Sequence, residues 1–362
     1  MRDIRDRGFF TNLGFVAFMS KTEGFNETNG ERNFVVRIGH RQVLADHLLF
    51  IDHRASSLSA IELRTIWCHD WCMRIATWNL KQAVAPRKKV PELMAWADAN
   101  IGADVYAFTE AKIPLDVDPQ WNYQWDTQGV YPDKPNKWGT VLASNRLALR
   151  PVTSVGTRLR TQELNFKWPA AVQVADVIKD GEVWCTLVGL YAVTRGRTND
   201  DDLGNGSYSL PKLLLQLEPL LNSPRGDRVV VAGDFNLWSG NVKGLADRYN
   251  LIDLVEMTAD TRDPLVNCQD CKYFAGTSRA VKRCGHLFTH RNGAMPKNEA
   301  AAKRSKAMVQ QIDFIWASKK MSKEVVRVYG GLQSFPKPSD KPYIPEIWTL
   351  SDHAPVIAEF TD

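Results

Sequence analysis

Seven side chains of this sequence, Asn79, Glu110, Asp234, Asn236, Asp313, Asp352 and His353, lie where short apolar runs stop or start. Ile75-Ala76-Thr77-Trp78 ends at Asn79, and Val105-Tyr106-Ala107-Phe108-Thr109 ends at Glu110. Val229-Val230-Val231-Ala232 ends in Gly233-Asp234-Phe235-Asn236. Two later runs reverse the order, with Asp313 before Phe314-Ile315-Trp316 and Asp352-His353 before Ala354-Pro355-Val356-Ile357. Ligands of α/β folds gather at the carboxyl ends of strands. If the last two runs are antiparallel to the first three, all seven groups meet at one rim. Each alone reads as a turn former, a helix cap or a satisfied histidine. Gathered carboxylates repel one another unless a cation binds them. Oxygen donors with one His and no Cys favour Mg²⁺ or Mn²⁺ over Zn²⁺.

The elements that must position these groups are short β-branched or aromatic runs separated by helical patterns. Expected strands are Arg74–Trp78, Val105–Thr109, Thr140–Ser144, Ala171–Ile178, Val183–Ala192, Val229–Ala232, Phe314–Ala317, Val325–Tyr329 and Ala354–Phe360. Val90, Leu93, Met94, Ala97 and Ile101 share one helical face, and further helices are expected at Leu210–Leu221 and about Glu299–Gln310. This is the pattern of an α/β protein whose sheets are covered by helices.

The chain has 362 residues, 44% hydrophobic and 24% charged, enough for a large buried core. No apolar run is long enough to span a bilayer. With 23 Gly, 18 Pro and 6 Cys, collagen-like, disordered and disulfide-dense scaffolds are excluded. The net charge of +5 permits an anionic substrate without demanding one.

Five motifs occur in order: Thr77-Trp78-Asn79, Thr109-Glu110-Ala111-Lys112, Gly233-Asp234-Phe235-Asn236, Ile312-Asp313-Phe314-Ile315 and Ser351-Asp352-His353-Ala354-Pro355-Val356. Together they resemble the motif set of the endonuclease/exonuclease/phosphatase superfamily, the deoxyribonuclease-I-like proteins. The resemblance spans residues 73–362. It implies a four-layer α/β sandwich, two mixed β-sheets face to face and flanked by helices. By similarity Glu110, Asn79 and Asp352 hold metal, Asp234 orients or deprotonates the attacking water, and Asn236 contacts phosphate. His353 pairs with Asp313 and faces the scissile phosphate, and Tyr191 falls where the family has a Tyr or His against a phosphate oxygen. Whether Asp234 or His353 takes the proton of water stays open. The implied activity is Mg²⁺- or Mn²⁺-dependent hydrolysis of phosphodiesters, with nucleic acid as substrate. The alternatives are a phosphatase or phosphodiesterase acting on a small molecule or lipid head group, and an inactive binding module. Two departures leave substrate class open: Thr109 where Gln is usual before the Glu, and Lys81 two residues after Asn79.

Cys268, Cys271, Cys284 and His286 form C-x₂-C-x₁₂-C-x-H, a spacing suited to structural Zn²⁺, with His290 a further candidate. Reduced thiols in an inserted loop, or a disulfide if the protein is exported, are the plainer alternatives; the stretch Phe288-Thr289-His290 beside that loop resembles the family's aromatic-flanked Thr motif, which lines the substrate cleft. Arg195, Arg197, Lys282, Arg283, Lys297, Lys303, Arg304 and Lys306 could hold phosphates or line a solvated face. Trp238 could stack a base or pack in the sandwich.

Residues 1–72 hold four of the seven His, no Pro and no Tyr, and their nine Lys+Arg cancel nine Asp+Glu. They are expected to lie outside a catalytic domain spanning 73–362, with Met73 a candidate natural start. Asp3, Asp6, Thr11 and Asn12 interrupt the outline of a signal peptide, so a cytoplasmic monomer is expected, with no protein partner indicated.

Overall fold

Val105–Ala111 and Val229–Asp234 are buried along their whole length, the pattern of strands covered on both faces. The computed structural model describes residues 72–81, 90–112, 120–126, 129–130, 138–156, 160–194, 209–237, 239–261, 286–291, 309–331 and 350–361. All belong to the unit Trp71–Asp362.

The chain begins this unit with β1 (Cys72–Asn79), α1 (Val90–Asn100), β2 (Val105–Ala111), β3 (Asn122–Trp125), β4 (Gly139–Ser144) and β5 (Ala148–Pro151). There follow β6 (Ser154–Gly156), β7 (Thr161–Glu163), β8 (Val172–Lys179), β9 (Glu182–Tyr191), α2 (Leu210–Leu221) and β10 (Val229–Asp234). Next come α3 (Ser239–Arg248), β11 (Leu251–Asp253), α4 (Leu254–Met257), β12 (His290–Arg291) and β13 (Val309–Gln310). The remaining elements are β14 (Asp313–Ser318), α5 (Lys319–Ser322), β15 (Val325–Gly330) and β16 (Val356–Thr361).

One six-stranded sheet has the order β15-β16-β1-β2-β4-β3, and the other β11-β14-β10-β9-β8-β5. Both are mixed, because β1 is parallel to β2 and β10 to β9 while β1–β16 and β10–β14 are antiparallel. The sheets pack face to face, β1 and β2 against β10 and β9. Ile75, Ala107, Leu187, Val230 and Ile315 fill the space between them. Gly189 permits the close approach, since a Cβ there would lie 2.7 Å from a Leu142 methyl carbon and 2.8 Å from that of Thr140.

Helices cover the outer faces. Leu93, Met94 and Ala97 of α1 pack on Trp78, Tyr106 and Phe108. Leu213, Leu214, Leu217 and Leu220 of α2 recur at helical spacing and are buried on the second sheet with Val242 of α3. Pro211 lies in the first turn of α2, where its missing N–H is harmless. The result is the expected four-layer sandwich.

Three expectations change. Val309 and Gln310 are the strand β13, paired with Arg291 and His290, not the end of a helix over 299–310, whose residues 299–308 lie outside those described. Tertiary pairing beside β14 overrides the helical pattern there. The last strand opens at Val356 instead of Ala354, because Pro355 has no N–H for the ladder. Asn122–Trp125, Ala148–Pro151 and Ser239–Arg248 form elements that the sequence pattern did not announce.

Candidate active site

Register brings the polar strand ends together. Asp234 closes β10 opposite Asp313, which opens the antiparallel β14. On its other side Asp234 pairs with Tyr191, the end of the parallel β9. In the facing sheet Asn79 pairs with Thr109, the residue before Glu110. Two bonds cross between the sheets: Asn79 Nδ2 donates to Asp234 Oδ2 at 2.9 Å, and Tyr191 Oη donates to Glu110 Oε1 at 3.0 Å.

The backbone bends to aim these groups. Of the five described non-glycine residues with positive φ, three belong to this rim: Lys81 (51°), Glu110 (47°) and Asn236 (51°). Left-handed backbone costs a side-chain-bearing residue about 1–2 kcal/mol, a strain typical of functional sites. Glu110 sits in an irregularity of the β2–β4 ladder between Phe108 and Ala111, which turns its side chain out of strand alternation. Lys81 and Asn236 share one device. Asn79 Oδ1 accepts from Lys81 N at 2.9 Å, and Asp234 Oδ1 accepts from Asn236 N at 2.8 Å. Such two-residue turns follow from an Asn or Asp at a strand end. Gly233 is required beside Asp234, because a Cβ there would lie 1.8 Å from Leu190 O.

Further bonds fasten the loop carrying Asp352 and His353. Ser351 Oγ donates to Asn79 O at 2.7 Å and accepts from His353 N at 3.1 Å. Trp78 Nε1 donates to His353 O at 2.8 Å. Thr289 Oγ1 accepts from the amides of Ile312 and Asp313, both at 3.1 Å, and Thr289 O accepts from Ala354 N at 2.7 Å. Thr289 thereby sets Asp313 and the His353 loop together.

Within this frame His353 Nδ1 lies 2.8 Å from Asp313 Oδ2, and His353 Nε2 lies 4.0 Å from Asp234 Oδ2. All three residues are buried. Burial works against an imidazolium, but the charge and hydrogen bond of Asp313, and then Asp234 and Asp352, raise the His353 pKa above its usual value. Burial, then the Asp313 charge and, last, Glu110 push Asp234 up, against the His353 charge and the Asn79 bond. His290 bridges to the His353 backbone, with ring centroids 4.5 Å apart. Burial and then the charge on His353 lower the His290 pKa, so it is neutral beside a cation.

Lys81 Nζ donates to Asp352 Oδ2. Burial favours a neutral Asp352, yet the charge on His353 and then the Lys81 hydrogen bond and charge hold its pKa below the usual range. Asn236 Nδ2 donates to Ala192 O at 2.8 Å, which leaves one amide hydrogen for a ligand. Among the described residues the rim carries four carboxylates, Glu110, Asp234, Asp313 and Asp352, against two cations, Lys81 and the His353 imidazolium. Fully ionised, it has an excess of two negative charges.

The structure therefore gathers Asn79, Glu110, Tyr191, Asp234, Asn236, Asp313, Asp352 and His353. Tyr191 is bonded to Glu110, and Asp352 to Lys81. Trp78 belongs to the first motif, Thr289 and His290 to the stretch Phe288-Thr289-His290, and Lys81 is a departure from the family pattern, but the sequence marks none of the four as an active-site residue. Cys268, Cys271, Cys284, Trp238, the basic residues 195, 197, 282, 283, 297, 303, 304 and 306, and residues 1–71 lie outside the described residues.

Two facing six-stranded mixed sheets with helices outside define a deoxyribonuclease-I-like fold. The chain belongs to the Endonuclease/Exonuclease/phosphatase family, whose model matches residues 76–353, and members of that family hydrolyse phosphate esters. Among solved structures it is similar to the 3'-5' exonuclease (NExo) from Neisseria meningitidis, at 17% identity and TM-score 0.46, covering 80% of this chain and 100% of that one. It is also similar to the AP endonuclease LMAP from Leishmania major, at 14% identity and TM-score 0.49, covering 81% of this chain and 89% of that one. A third is an AP endonuclease from Archaeoglobus fulgidus, at 14% identity and TM-score 0.46, covering 80% and 99%. No curated protein matches the chain.

Proposed function

We propose that this protein is a divalent-metal-dependent phosphodiesterase acting on nucleic acid. The observation that carries the reading is the convergence of Glu110, Asn79, Asp234, Asn236 and the Asp313–His353 pair on one rim. The donor set fits Mg²⁺ or Mn²⁺: the oxygens are hard, Glu110 and Asn79 are buried, and burial with the neighbouring Asp313 and Glu110 charges holds Asp234 toward its neutral form, a cost that a bound cation relieves. Glu110 and the Asn79 carbonyl would hold the ion. Asp234, Asp313 and His353 also offer ligand atoms within 4.8 Å of one another. An ion binding all three would compete for the Asp313–His353 bond, so the Glu110 side is the better seat. When bound, the ion neutralises charge on a phosphate oxygen and on the leaving group.

The chain's own groups do the rest. Tyr191 Oη holds the Glu110 carboxylate in place through a hydrogen bond of 3.0 Å. Asp313 fixes the His353 ring and favours its charged form, so Nε2 carries a proton toward a bound phosphate. The second amide hydrogen of Asn236 is aimed by its left-handed backbone and its bond to Ala192. Such pre-aimed donors are typically worth about 3 kcal/mol of barrier each. Asp234 accepts the proton of the attacking water, and water adds to phosphorus as the ester oxygen leaves with a proton from His353.

A substrate panel tests this reading. Purified protein with Mg²⁺ is expected to cleave DNA, abasic DNA or RNA, and EDTA to abolish cleavage. Hydrolysis of inositol phosphate or sphingomyelin with DNA and RNA left intact would replace nucleic acid by a small or lipid phosphoester. No hydrolysis of any of these would overturn the assignment.

A further inference from the structure

We infer that Lys81 is a resident cation of the site, occupying the cation position at Asp352 so that the protein takes one divalent ion at Glu110 and Asn79 and excludes another at Asp352. The inference rests on the metal placement proposed above. Its own support is the ion pair between Lys81 Nζ and Asp352 Oδ2, which is half-withdrawn from solvent, with side chains 35% and 21% exposed.

Neither partner arrives there by chance rotation of a surface side chain. Lys81 adopts φ 51°, a strained value for lysine, and its amide is bonded to Asn79 Oδ1 at 2.9 Å. Asp352 lies between Ser351, which bonds Asn79 O, and His353, whose amide bonds Ser351 Oγ. The end of β1 and the Asp352 loop are thus stitched together on both sides of the pair. A carboxylate already receiving an ammonium hydrogen bond offers a divalent ion less charge, and the ion must also approach a like charge.

Mn²⁺ binding to the metal-free full chain, read by calorimetry and by electron paramagnetic resonance without substrate, tests the inference. Lys81→Met keeps the apolar stem and removes the charge. It is expected to bind one more Mn²⁺ than the wild type, or the same number about tenfold more tightly. Lys81→Arg keeps the charge and should bind as the wild type does, which separates charge from folding. In the wild-type background Asp352→Asn should leave the number of Mn²⁺ ions bound unchanged, whereas adding it to Lys81→Met should abolish the gain. Because variants are compared with one another, ions bound elsewhere on the chain cancel. Lys81→Met binding no better than wild type, or Asp352→Asn alone reducing the number of Mn²⁺ ions bound, would overturn the inference. Glu110→Gln reads the underlying placement separately and should weaken binding about tenfold or more. If it has no effect, the ion's seat at Glu110 is wrong, while the Lys81 contrast still reports on Asp352.

Discussion

Glu110, Asp234 and His353 are three buried ionisable residues given different surroundings, and their variants should fail differently. Glu110 is bonded by Tyr191 and sits in a ladder irregularity. Glu110→Ala is expected to lose most turnover and recover part of it as Mn²⁺ is raised, because added ion offsets a lost ligand by mass action. Asp234 has no such remedy. Its two oxygens accept from Asn236 N and Asn79 Nδ2. Asp234→Asn removes the proposed base and presents an amide donor to one of those donors, so added Mn²⁺ should restore nothing. His353→Ala should cost about 10²-fold or more in kcat with little change in KM, as for a donor acting in the transition state. Turnover of the three variants across a Mn²⁺ titration checks the set. An identical metal response of Glu110→Ala and Asp234→Asn would make Asp234 a ligand instead of a base.

At the scale of elements, each sheet is fastened by a buried carboxylate held by two arginines. Glu359 of β16 accepts from Arg74 Nε at 2.9 Å and from Arg327, with Tyr329 Oη at 3.1 Å. Asp176 of β8 accepts from Arg150 and Arg225 and from Thr186 Oγ1 at 2.8 Å. Burial alone would raise both carboxyl pKa values. At Glu359 the Arg327 hydrogen bond and charge lead the opposing causes, and at Asp176 the hydrogen bonds of Arg225 and Arg150 do, so both values end lowered. A carboxyl with a lowered folded pKa stabilises above its unfolded pKa. That contribution is lost as pH falls through the folded value. Glu359→Gln should therefore destabilise by about 3 kcal/mol at neutral pH, the scale for removing one partner of a buried pair. The difference from wild type should shrink steadily below about pH 4. Urea melts from neutral pH into acid measure it, and a pH-independent difference would assign the effect to packing.

The same scale explains what the sequence could and could not reveal. Strand ends at Asn79, Glu110 and Asp234 were legible because apolar runs stop abruptly at polar residues. The rim followed once Asp313 and Asp352-His353 were taken as the starts of antiparallel strands, which β14 and β16 are. The partners of Thr289, Trp78 and His290 were not legible, although their motifs placed them near the cleft, because those partners lie across the sequence and are chosen by packing. Trp78 reaches His353 across 275 residues, and Thr289 reaches Asp313 across 24. The left-handed backbone at Glu110 was also hidden, since glutamate carries no preference for it. Pro355 was a readable signal that the strand pattern over Ala354–Phe360 passed over.

At the scale of the whole molecule, the catalytic groups all lie in Trp71–Asp362. We propose that this unit, and not the residues before Trp71, carries the activity. Its first strand is central, since β1 lies between β16 and β2, so the place where the chain is cut matters. Cys72 pairs with Thr361, and Met73 with Phe360. A chain beginning at Trp71 keeps that whole ladder; one beginning at Met73 loses only its outermost pair, at the end far from Asn79. Both shortened chains are expected to melt in one cooperative transition and to match the full chain in metal-dependent kcat and KM. The Met73 chain should lose no more than about 1 kcal/mol, the scale of one net backbone hydrogen bond. Denaturant midpoints and steady-state kinetics for the three chains measure this. If the Trp71 chain is insoluble or inactive while the full chain works, residues before Trp71 complete the fold or the site, and the boundary proposed here is wrong.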